Sequence, residues 1–312
     1  MTIPHQNINQ VLTYILPYIE KHTKSEPPAG KTKGPFILAL TGLQGSGKST
    51  WTSALVQALN EKHKLRTINL SLDDLYLDHE DLVRLRDDNA SNKLLRTRGQ
   101  PGTHDTALAV TFFDSLTKTS QDTLVPVFDK SKFNGEGARA PKQTWTRITA
   151  GEVVDVVVFE GWCVGFQPLD EPTIQKKWED AQKSGTKTEY PIVTLGDHKL
   201  EHLVQANDSL RHYCDSFMGP RHLDFLVHLD TNDLVNVYQW RIQQEHALRE
   251  IKNEGMTDEQ VVDFVRGYMP AYELYLDQLR DGFFGLDTMP KKGQLRVVLD
   301  RERRVVDTVL YQ

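Results

Sequence analysis

Residues 38–51, LALTGLQGSGKSTW, decide the fold of this chain. They contain the pattern G-x-x-x-x-G-K-[ST], whose fixed positions are Gly42, Gly47, Lys48 and Ser49. Glycines let the backbone curl until successive N–H groups point at phosphate oxygens, and the following helix adds its positive N-terminal end. An apolar stretch precedes the pattern and a helix-like stretch follows it. A glycine turn without a ligand is the alternative, but this context favours a phosphate-binding loop.

Each position of the loop has a predicted chemical role. Lys48 reaches the β- and γ-phosphates of a nucleotide, and the Ser49 hydroxyl ligates Mg²⁺. Mg²⁺ is therefore an expected cofactor. The chain lacks the N-K-x-D motif with which GTPases usually bind guanine, but a P-loop alone does not separate kinases from GTPases, ATPases or motor proteins. The residues predicted to bind the nucleotide are Gly42, Gln44, Gly45, Ser46, Gly47, Lys48, Ser49 and Thr50.

Composition and charge narrow the class of protein. The 312 residues are 38% hydrophobic and 26% charged, as in soluble globular domains. A net charge of −6 gives no general attraction to nucleic acid or to anionic membranes. No apolar run approaches the roughly 20 residues that span a bilayer, and the N-terminus does not resemble a signal peptide. We expect a cytoplasmic protein, with access to the nucleus left open and protein partners unknown.

Strand and helix patterns alternate in the first part of the chain. Residues 8–22 have the apolar period of a helix, which Pro17 is expected to kink or break. Beyond a Pro- and Gly-rich linker, FILALTG at 36–42 predicts a buried strand and 49–63 a helix. LRTINLSL at 65–72 predicts a second strand. Strand–helix–strand alternation indicates a parallel sheet.

The remainder continues this α/β pattern. The predicted helical segments are 79–99 (one helix with a loop, or two), 103–118, 232–255 and 258–281. The predicted strands are 154–162 and 222–230, and residues 294–311 predict a terminal β-hairpin. For domains, we expect an N-terminal helix and linker over 1–34 and a single domain over 35–312. A polar surface insertion is expected at about 168–195.

Carboxylates follow two of the predicted strands. Glu160 ends VVVFEGW, at the sheet edge where open α/β folds bind ligands, and could hold Mg²⁺ directly or through water. A solvent-exposed strand end is the alternative. Asp73 and Asp74 end the second strand. Asp74 has a structural alternative, since it could cap or begin a helix entered at 75–82. Asp73 is the better candidate to accept the proton of an attacking hydroxyl.

Six motifs in order resemble the D-glycerate 3-kinases of plants and their fungal relatives, in the wider group of phosphoribulokinase, uridine kinase and bacterial pantothenate kinase. The resemblance covers roughly residues 35–285. It implies a three-layer P-loop kinase fold with a mostly parallel central sheet, helices on both faces and the C-terminal β-hairpin. It also implies that ATP and Mg²⁺, the expected cofactors, bind at residues 42–50. The motifs are QGSGKST (44–50), SLDDLYL (71–77), RGQPGTHD (98–105), PVFDKSKFNGEGAR (126–139), VVVFEGW (156–162) and YMPAYELYL (268–276).

The resemblance also implies roles for individual residues. Asp73 matches the general base, Glu160 the acidic position near the metal, and Arg241 the lid-helix arginine that closes over the phosphates. Lys48 and Asp73 are thus the predicted catalytic residues, with Ser49 and Glu160 at the metal. The predicted substrate side comprises Asp73, Tyr76, Arg98, His104, Asp105, Lys130 and Arg139.

Each substrate-side assignment has a structural alternative. RGQPGTHD could be only a turn in which Thr103 or Asp105 caps the next helix. Lys130, Lys132 and Arg139 could be a solvated basic loop. Arg241 could pair with Glu245 one helical turn away. The tyrosines of YMPAYELYL are expected to pack in the core.

These expectations combine into one functional hypothesis. The chain is predicted to be an ATP-dependent kinase that transfers the γ-phosphate to a hydroxyl of a small, acidic, D-glycerate-like metabolite. The alternatives are a kinase for pantothenate, a nucleoside or a sugar phosphate, and a non-catalytic ATP-binding regulatory protein.

Overall fold

The structure, a computed structural model, describes residues 3–26, 32–184, 188–252, 255–285 and 292–312. Part of the predicted linker (27–31) and part of the predicted insertion (185–187) lie outside the described residues. The helices are α1 (His5–Lys24), α2 (Lys48–Glu61), α3 (His79–Asp88), α4 (Thr106–Ser115), α5 (Glu171–Lys183), α6 (Leu200–Tyr213), α7 (Val235–Lys252), α8 (Asp258–Arg266) and α9 (Met269–Asp281).

The strands form one large sheet and two small antiparallel pairs. Their bounds are β1 (Phe36–Gly42), β2 (Thr67–Ser71), β3 (Thr123–Val125), β4 (Phe128–Asp129), β5 (Ala138–Arg139), β6 (Thr146–Ile148), β7 (Val156–Gly161), β8 (Phe225–Asp230), β9 (Gly293–Leu299) and β10 (Val305–Tyr311). The six-stranded sheet has the order β10-β9-β8-β1-β7-β2. Every pairing in it is parallel except that between β9 and β10.

Burial explains why the central strands are so apolar. All six residues of β7 and all six of β8 are buried, as expected for parallel strands covered on both faces. Helix α2 packs against β1, β2 and β7, and α1 packs against β1 and β9. The predicted α/β architecture, a mostly parallel central sheet with surrounding helices and a C-terminal antiparallel hairpin, is confirmed.

Two predicted helices differ from the structure. Of the kink or break expected at Pro17, the break does not occur, because helix α1 continues through this residue. Burial of its apolar face, including Ile15, stabilises the helix despite the lost N–H. Residues 258–281 form two helices instead of one. Pro270 lies in the first turn of α9, where a backbone N–H has no partner within the helix, so its missing N–H costs nothing there. Between the two helices, the Gly267 carbonyl accepts a 2.7 Å hydrogen bond from Gln100 Nε2.

The predicted insertion contributes a packed element. Helix α5 begins at an Asp170 cap that accepts a hydrogen bond from Thr173 N, and it buries Ile174. It packs against α6, and Trp178 Nε1 donates to the His198 carbonyl at 2.9 Å. These contacts anchor the described part of the segment to the rest of the chain.

A buried ionic cluster ties β8 to its neighbours. Asp230 ends β8 with 0% of its surface exposed. Arg280 from α9 donates to both of its carboxylate oxygens at 2.8 and 3.0 Å, and Arg296 from β9 donates at 2.7 Å. Burial alone would raise the pKa of Asp230, but the arginines and His228 outweigh it and the pKa falls below its ordinary value. Asp230 is thus a carboxylate at neutral pH, paired with the two arginines.

Replacing Asp230 by Ala is expected to lower the free energy of unfolding by about 3–5 kcal/mol, because two arginines lose a buried counter-charge. Urea unfolding measures the change. Asp277→Ala is the matched control, since Asp277 also pairs with Arg280 but has 73% of its side chain exposed; a change below about 1 kcal/mol is expected there. Equal losses of unfolding free energy in the two variants would contradict the stabilising role of the buried Asp230 pairs.

Candidate active site

The sheet topology brings the predicted site residues to one edge. In the parallel registers, Leu40 of β1 and Ser71 of β2 both pair with Glu160 of β7. The loop after β1 and the turn after β2 therefore leave the sheet on either side of Glu160. This edge, at the carboxyl ends of the strands, is where open α/β sheets bind ligands.

The loop after β1 is shaped by its glycines. Gly45 and Gly47 have left-handed φ angles of 80° and 91°, which only glycine adopts at no steric cost. A Cβ on Gly45 would lie 2.7 Å from Trp240 Cβ, so the loop lies close against α7. Ser49 and Thr50 follow in the first turn of α2. The curled loop and helix N-terminus have the geometry that phosphate binding requires.

Polar atoms of the loop agree with a phosphate ligand. The Ser46 hydroxyl is buried and has no hydrogen-bond partner among the described residues. Lys48 is half-buried, and its ammonium donates to the Leu43 carbonyl at 3.2 Å. Burial lowers the pKa of Lys48, while the nearby charges of Glu160 and Asp73 act to raise it. These groups fit the phosphates of a nucleotide.

Metal binding at this edge can involve few protein ligands. Glu160 is 9% exposed, and the described residues contain no cluster of three or more His, Cys, Asp or Glu that could hold a metal ion. A P-loop magnesium ion takes much of its coordination from phosphate oxygens and water. Ser49 and Glu160 are therefore sufficient as candidate ligands.

Asp73 lies in the turn Leu72–Leu75, directly after β2. Lys130 donates to its Oδ2 at 2.5 Å and the Tyr76 hydroxyl to its Oδ1 at 2.9 Å. Burial acts to raise the pKa of Asp73, but the charge and hydrogen bond of Lys130 and the bond from Tyr76 outweigh it. Its pKa consequently lies below the ordinary value, and the side chain is a carboxylate at neutral pH.

Asp74 does not cap a helix, the role that the sequence suggested for it. Helix α3 begins at His79 and is capped by Asp78, so Asp74 does not cap it. Asp74 instead accepts a 3.1 Å hydrogen bond from the Phe128 N–H, and burial raises its pKa. The two adjacent aspartates thus have different partners. Asp73 pairs with Lys130, and Asp74 binds the backbone of strand β4.

Arg98 joins two predicted substrate-side segments. Its guanidinium donates to the carbonyls of Gly135 and Glu136 at 2.5 and 2.6 Å and lies over the Tyr76 ring at 5.7 Å. Arg98 thus fixes the loop that follows β4. The same loop carries Lys130, which contacts Asp73.

Asp105 and Arg139 organise the backbone near this loop. Asp105 caps α4 by accepting from Leu108 N at 2.9 Å, as the alternative interpretation of RGQPGTHD supposed, and it also pairs with Arg139 at 2.8 Å. Arg139 additionally donates to the Tyr76 carbonyl. His104, the preceding residue, is buried and stacks on the Tyr76 ring with centroids 4.4 Å apart.

Arg241 lies on α7 beside the phosphate loop. It pairs with Glu245, as the alternative interpretation proposed, and its guanidinium stands 5.1 Å from the Phe264 ring centroid. Arg241 thus contacts a residue of its own helix and one of α8, and its role as a lid arginine stays a prediction.

Sequence reasoning missed several contacts to the loops. The Gln44 N–H donates to the Tyr272 hydroxyl at 3.0 Å, so this tyrosine supports the phosphate loop as well as packing in the core. Arg303, in the turn between β9 and β10, donates to the Gly45 carbonyl at 2.6 Å. Trp162 Nε1 donates to the Gly99 carbonyl at 3.0 Å. No local motif could have revealed these partners, which lie far apart in the chain.

Lys130→Ala is expected to move the acidic limb of the pH–rate profile to higher pH. Asp73 accepts a proton only when ionised, and Lys130 holds its pKa below the ordinary value of 3.8. Without Lys130, burial raises that pKa, so the carboxylate is protonated at a higher pH than in the wild type. Measuring kcat/KM from about pH 4 to 8 tests this. Lys132→Ala, exposed in the same loop, is the control and should leave the limb in place.

Comparison with known proteins identifies close relatives. The chain is 36% identical over 275 residues to an uncharacterized kinase of Schizosaccharomyces pombe, covering 86% of this chain and 89% of the relative. It is 34% identical over 306 residues, 96% of each chain, to a protein of Saccharomyces cerevisiae named a probable ATP-dependent kinase. The D-glycerate 3-kinase from Cryptococcus neoformans var. grubii superposes with a TM-score of 0.83 at 31% identity, covering 97% of this chain and 99% of that one.

Neither a family model that matches the chain nor a helix long and apolar enough to span a membrane was found, the latter among the described residues.

Proposed function

This chain belongs to the family of P-loop kinases that includes enzymes named D-glycerate 3-kinase and ATP-dependent kinase, and from that premise we propose that it phosphorylates a hydroxyl of a small acidic metabolite such as D-glycerate. The ATP-dependent phosphotransferase activity follows from the family. The observation that supports the acceptor class is the ion pair of Lys130 with Asp73 at the open sheet edge.

Asp73 is the proposed general base. It is ionised, it stands at the carboxyl end of β2, and its charge reaches Lys48. A carboxylate in this position can orient an acceptor hydroxyl and take its proton. The Tyr76 hydrogen bond fixes one oxygen of Asp73 and leaves the side shared with Lys130 for the acceptor.

The phosphate loop forms the other half of the proposed reaction centre. Lys48 and the loop N–H groups would stabilise the negative charge on the phosphates, and Ser49 and Glu160 would hold the metal ion. Bound ATP and Mg²⁺ supply the transferable phosphoryl group and neutralise its charge.

Cations beside the base support an acidic acceptor. Lys130 is about half exposed, so an incoming carboxylate can exchange for part of its contact with Asp73. The Arg98 guanidinium lies in the same cluster, over the rings of Tyr76 and Phe128. A neutral sugar or nucleoside gains less than an anion from this pair of positive charges.

The proposal is tested by incubating the protein with Mg²⁺ and γ-labelled ATP in the presence of D-glycerate or of other hydroxylated metabolites. Label on D-glycerate is the expected result. Label on pantothenate or a sugar phosphate instead, both of which are anions, would keep the kinase and the acidic acceptor but discard D-glycerate. Label on a neutral nucleoside would keep the kinase and discard the acidic acceptor. Tight ATP binding with no label on any compound would contradict the proposed phosphotransfer and favour a regulatory protein.

A further inference from the structure

The hydroxyl of Tyr213 has an unusual set of neighbours. Tyr213 is the last residue of α6 and is 2% exposed. Its oxygen accepts hydrogen bonds from the backbone N–H groups of Gly102 and His104, at 2.7 and 2.9 Å. The same oxygen lies 3.1 Å from Nδ1 of the His104 ring. Tyr213 thus contacts the turn of RGQPGTHD at three points.

These contacts determine the proton positions. A phenol oxygen has two lone pairs, and both are engaged by the backbone N–H groups. The phenol proton must then point at the third neighbour, and burial keeps that proton in place by raising the pKa of Tyr213 well above its ordinary value. Nδ1 of His104 is consequently the acceptor. In a neutral imidazole, the other nitrogen, Nε2, therefore carries the ring proton.

His104 is neutral over the physiological range. Its ring is buried at 4% exposure, and burial lowers its pKa to about 4, although the charge of Asp73 acts in the opposite direction. Nε2 is buried and has no hydrogen-bond partner among the described residues. An N–H donor in such a place costs free energy unless a ligand satisfies it.

The position of the ring indicates the ligand. Nε2 points away from Tyr213, because the two ring nitrogens lie on opposite sides of the imidazole. The ring stacks on Tyr76, whose hydroxyl donates to Asp73 at 2.9 Å, and the Asp73 charge is close enough to affect the pKa of His104. His104 therefore belongs to the cluster around the proposed base.

We propose that Tyr213 fixes His104 as the Nε2–H tautomer and that this N–H donates a hydrogen bond to an oxygen of the phosphate acceptor beside Asp73. His104 is then an acceptor-binding residue of fixed donor character, and Tyr213 is its positioning residue. The inference rests on the proposed function for the identity of the acceptor, but the tautomer does not depend on it.

Nitrogen-15 histidine NMR tests the tautomer without catalysis. The chain has 11 histidines, and the signals lost in His104→Asn identify those of His104. The expected spectrum of the wild type shows a protonated Nε2 and an unprotonated Nδ1 at neutral pH. A protonated Nδ1, or a doubly protonated ring, would overturn the proposal.

Two matched variants test the contact with the acceptor. The Asn amide can still accept from Tyr213 near the Nδ1 position but does not reach the Nε2 position, whereas the Gln amide reaches it with an N–H. His104→Asn is expected to raise the KM for D-glycerate about 10- to 100-fold, the loss of one hydrogen bond to a charged group, with the KM for ATP unchanged. His104→Gln should recover much of this loss. An unchanged KM for D-glycerate, or an equal rise for ATP, would overturn the contact.

A double-mutant cycle tests whether Tyr213 acts through His104. Tyr213→Phe alone should raise the KM for D-glycerate, and it should add little in the His104→Asn background, because the donor that it positions is already lost. Additive effects would overturn the positioning role. If the wild type does not phosphorylate D-glycerate, the proposed acceptor is wrong, while the tautomer is still confirmed or overturned by the NMR spectrum.

Discussion

We expect Asp73→Asn to lower the turnover number by about 10²- to 10⁴-fold, the range that general base catalysis contributes, and to leave ATP affinity nearly unchanged. The amide has the shape of the carboxylate, so Tyr76 can still donate to its oxygen as it does to Oδ1. The amide cannot accept the proton of an acceptor hydroxyl. Turnover measured at saturating acceptor and ATP, with ATP affinity from calorimetry, separates chemistry from binding.

Asp74→Asn is the matched control for this variant. Asp74 is the adjacent carboxylate, and an Asn oxygen can still accept the hydrogen bond from Phe128 N–H. We expect its turnover to stay within about threefold of the wild type, because Asp74 supports β4 and has no part in proton transfer. Near-normal turnover of Asp73→Asn, or an equal loss in both variants, would contradict the assignment of Asp73 as the base.

Lys48→Ala is expected to weaken ATP binding and to lower turnover together, by about 10²- to 10³-fold in turnover, as for the loss of one donor that stabilises transition-state charge. Its ammonium is near enough to Glu160 and Asp73 for the charges of both to act on the pKa of Lys48. Without this ammonium, less positive charge offsets the repulsion between the phosphates and the carboxylates of Glu160 and Asp73. The ATP dissociation constant and the single-turnover rate measure the two effects separately.

The control for this second variant is Lys62→Ala. Lys62 directly follows α2 and is exposed, and among the described residues its ammonium donates only to the Asn9 side chain, at 3.4 Å. Both variants lose one positive charge, so a general change in electrostatic attraction for ATP affects them equally. ATP affinity that falls to the same degree in both would show that Lys48 has no specific contact with the phosphates.

Local sequence determined the phosphate loop and most of the sheet. The loop is contiguous, so its glycines, lysine and serine are recognisable as one local motif, although Tyr272 and Arg303 support it from distant parts of the chain. The strands β1, β7 and β8 are predictable because each is a short, nearly continuous apolar run, the pattern of a parallel strand that is buried on both faces. The split between α8 and α9 was missed, although Pro270 marks it, because an apolar helical period continues across Gly267.

The partners of the site residues were decided only by the tertiary structure. The Lys130–Asp73 pair joins residues 57 positions apart, the Tyr213–His104 contact 109, and the Arg303–Gly45 bond 258. The sequence identified Asp73 and Lys130 as candidates but could not pair them, and Tyr213 and Arg303 carried no local signal. Hydrogen bonds and ion pairs depend on distances below about 4 Å, and only the packing of distant segments sets those distances.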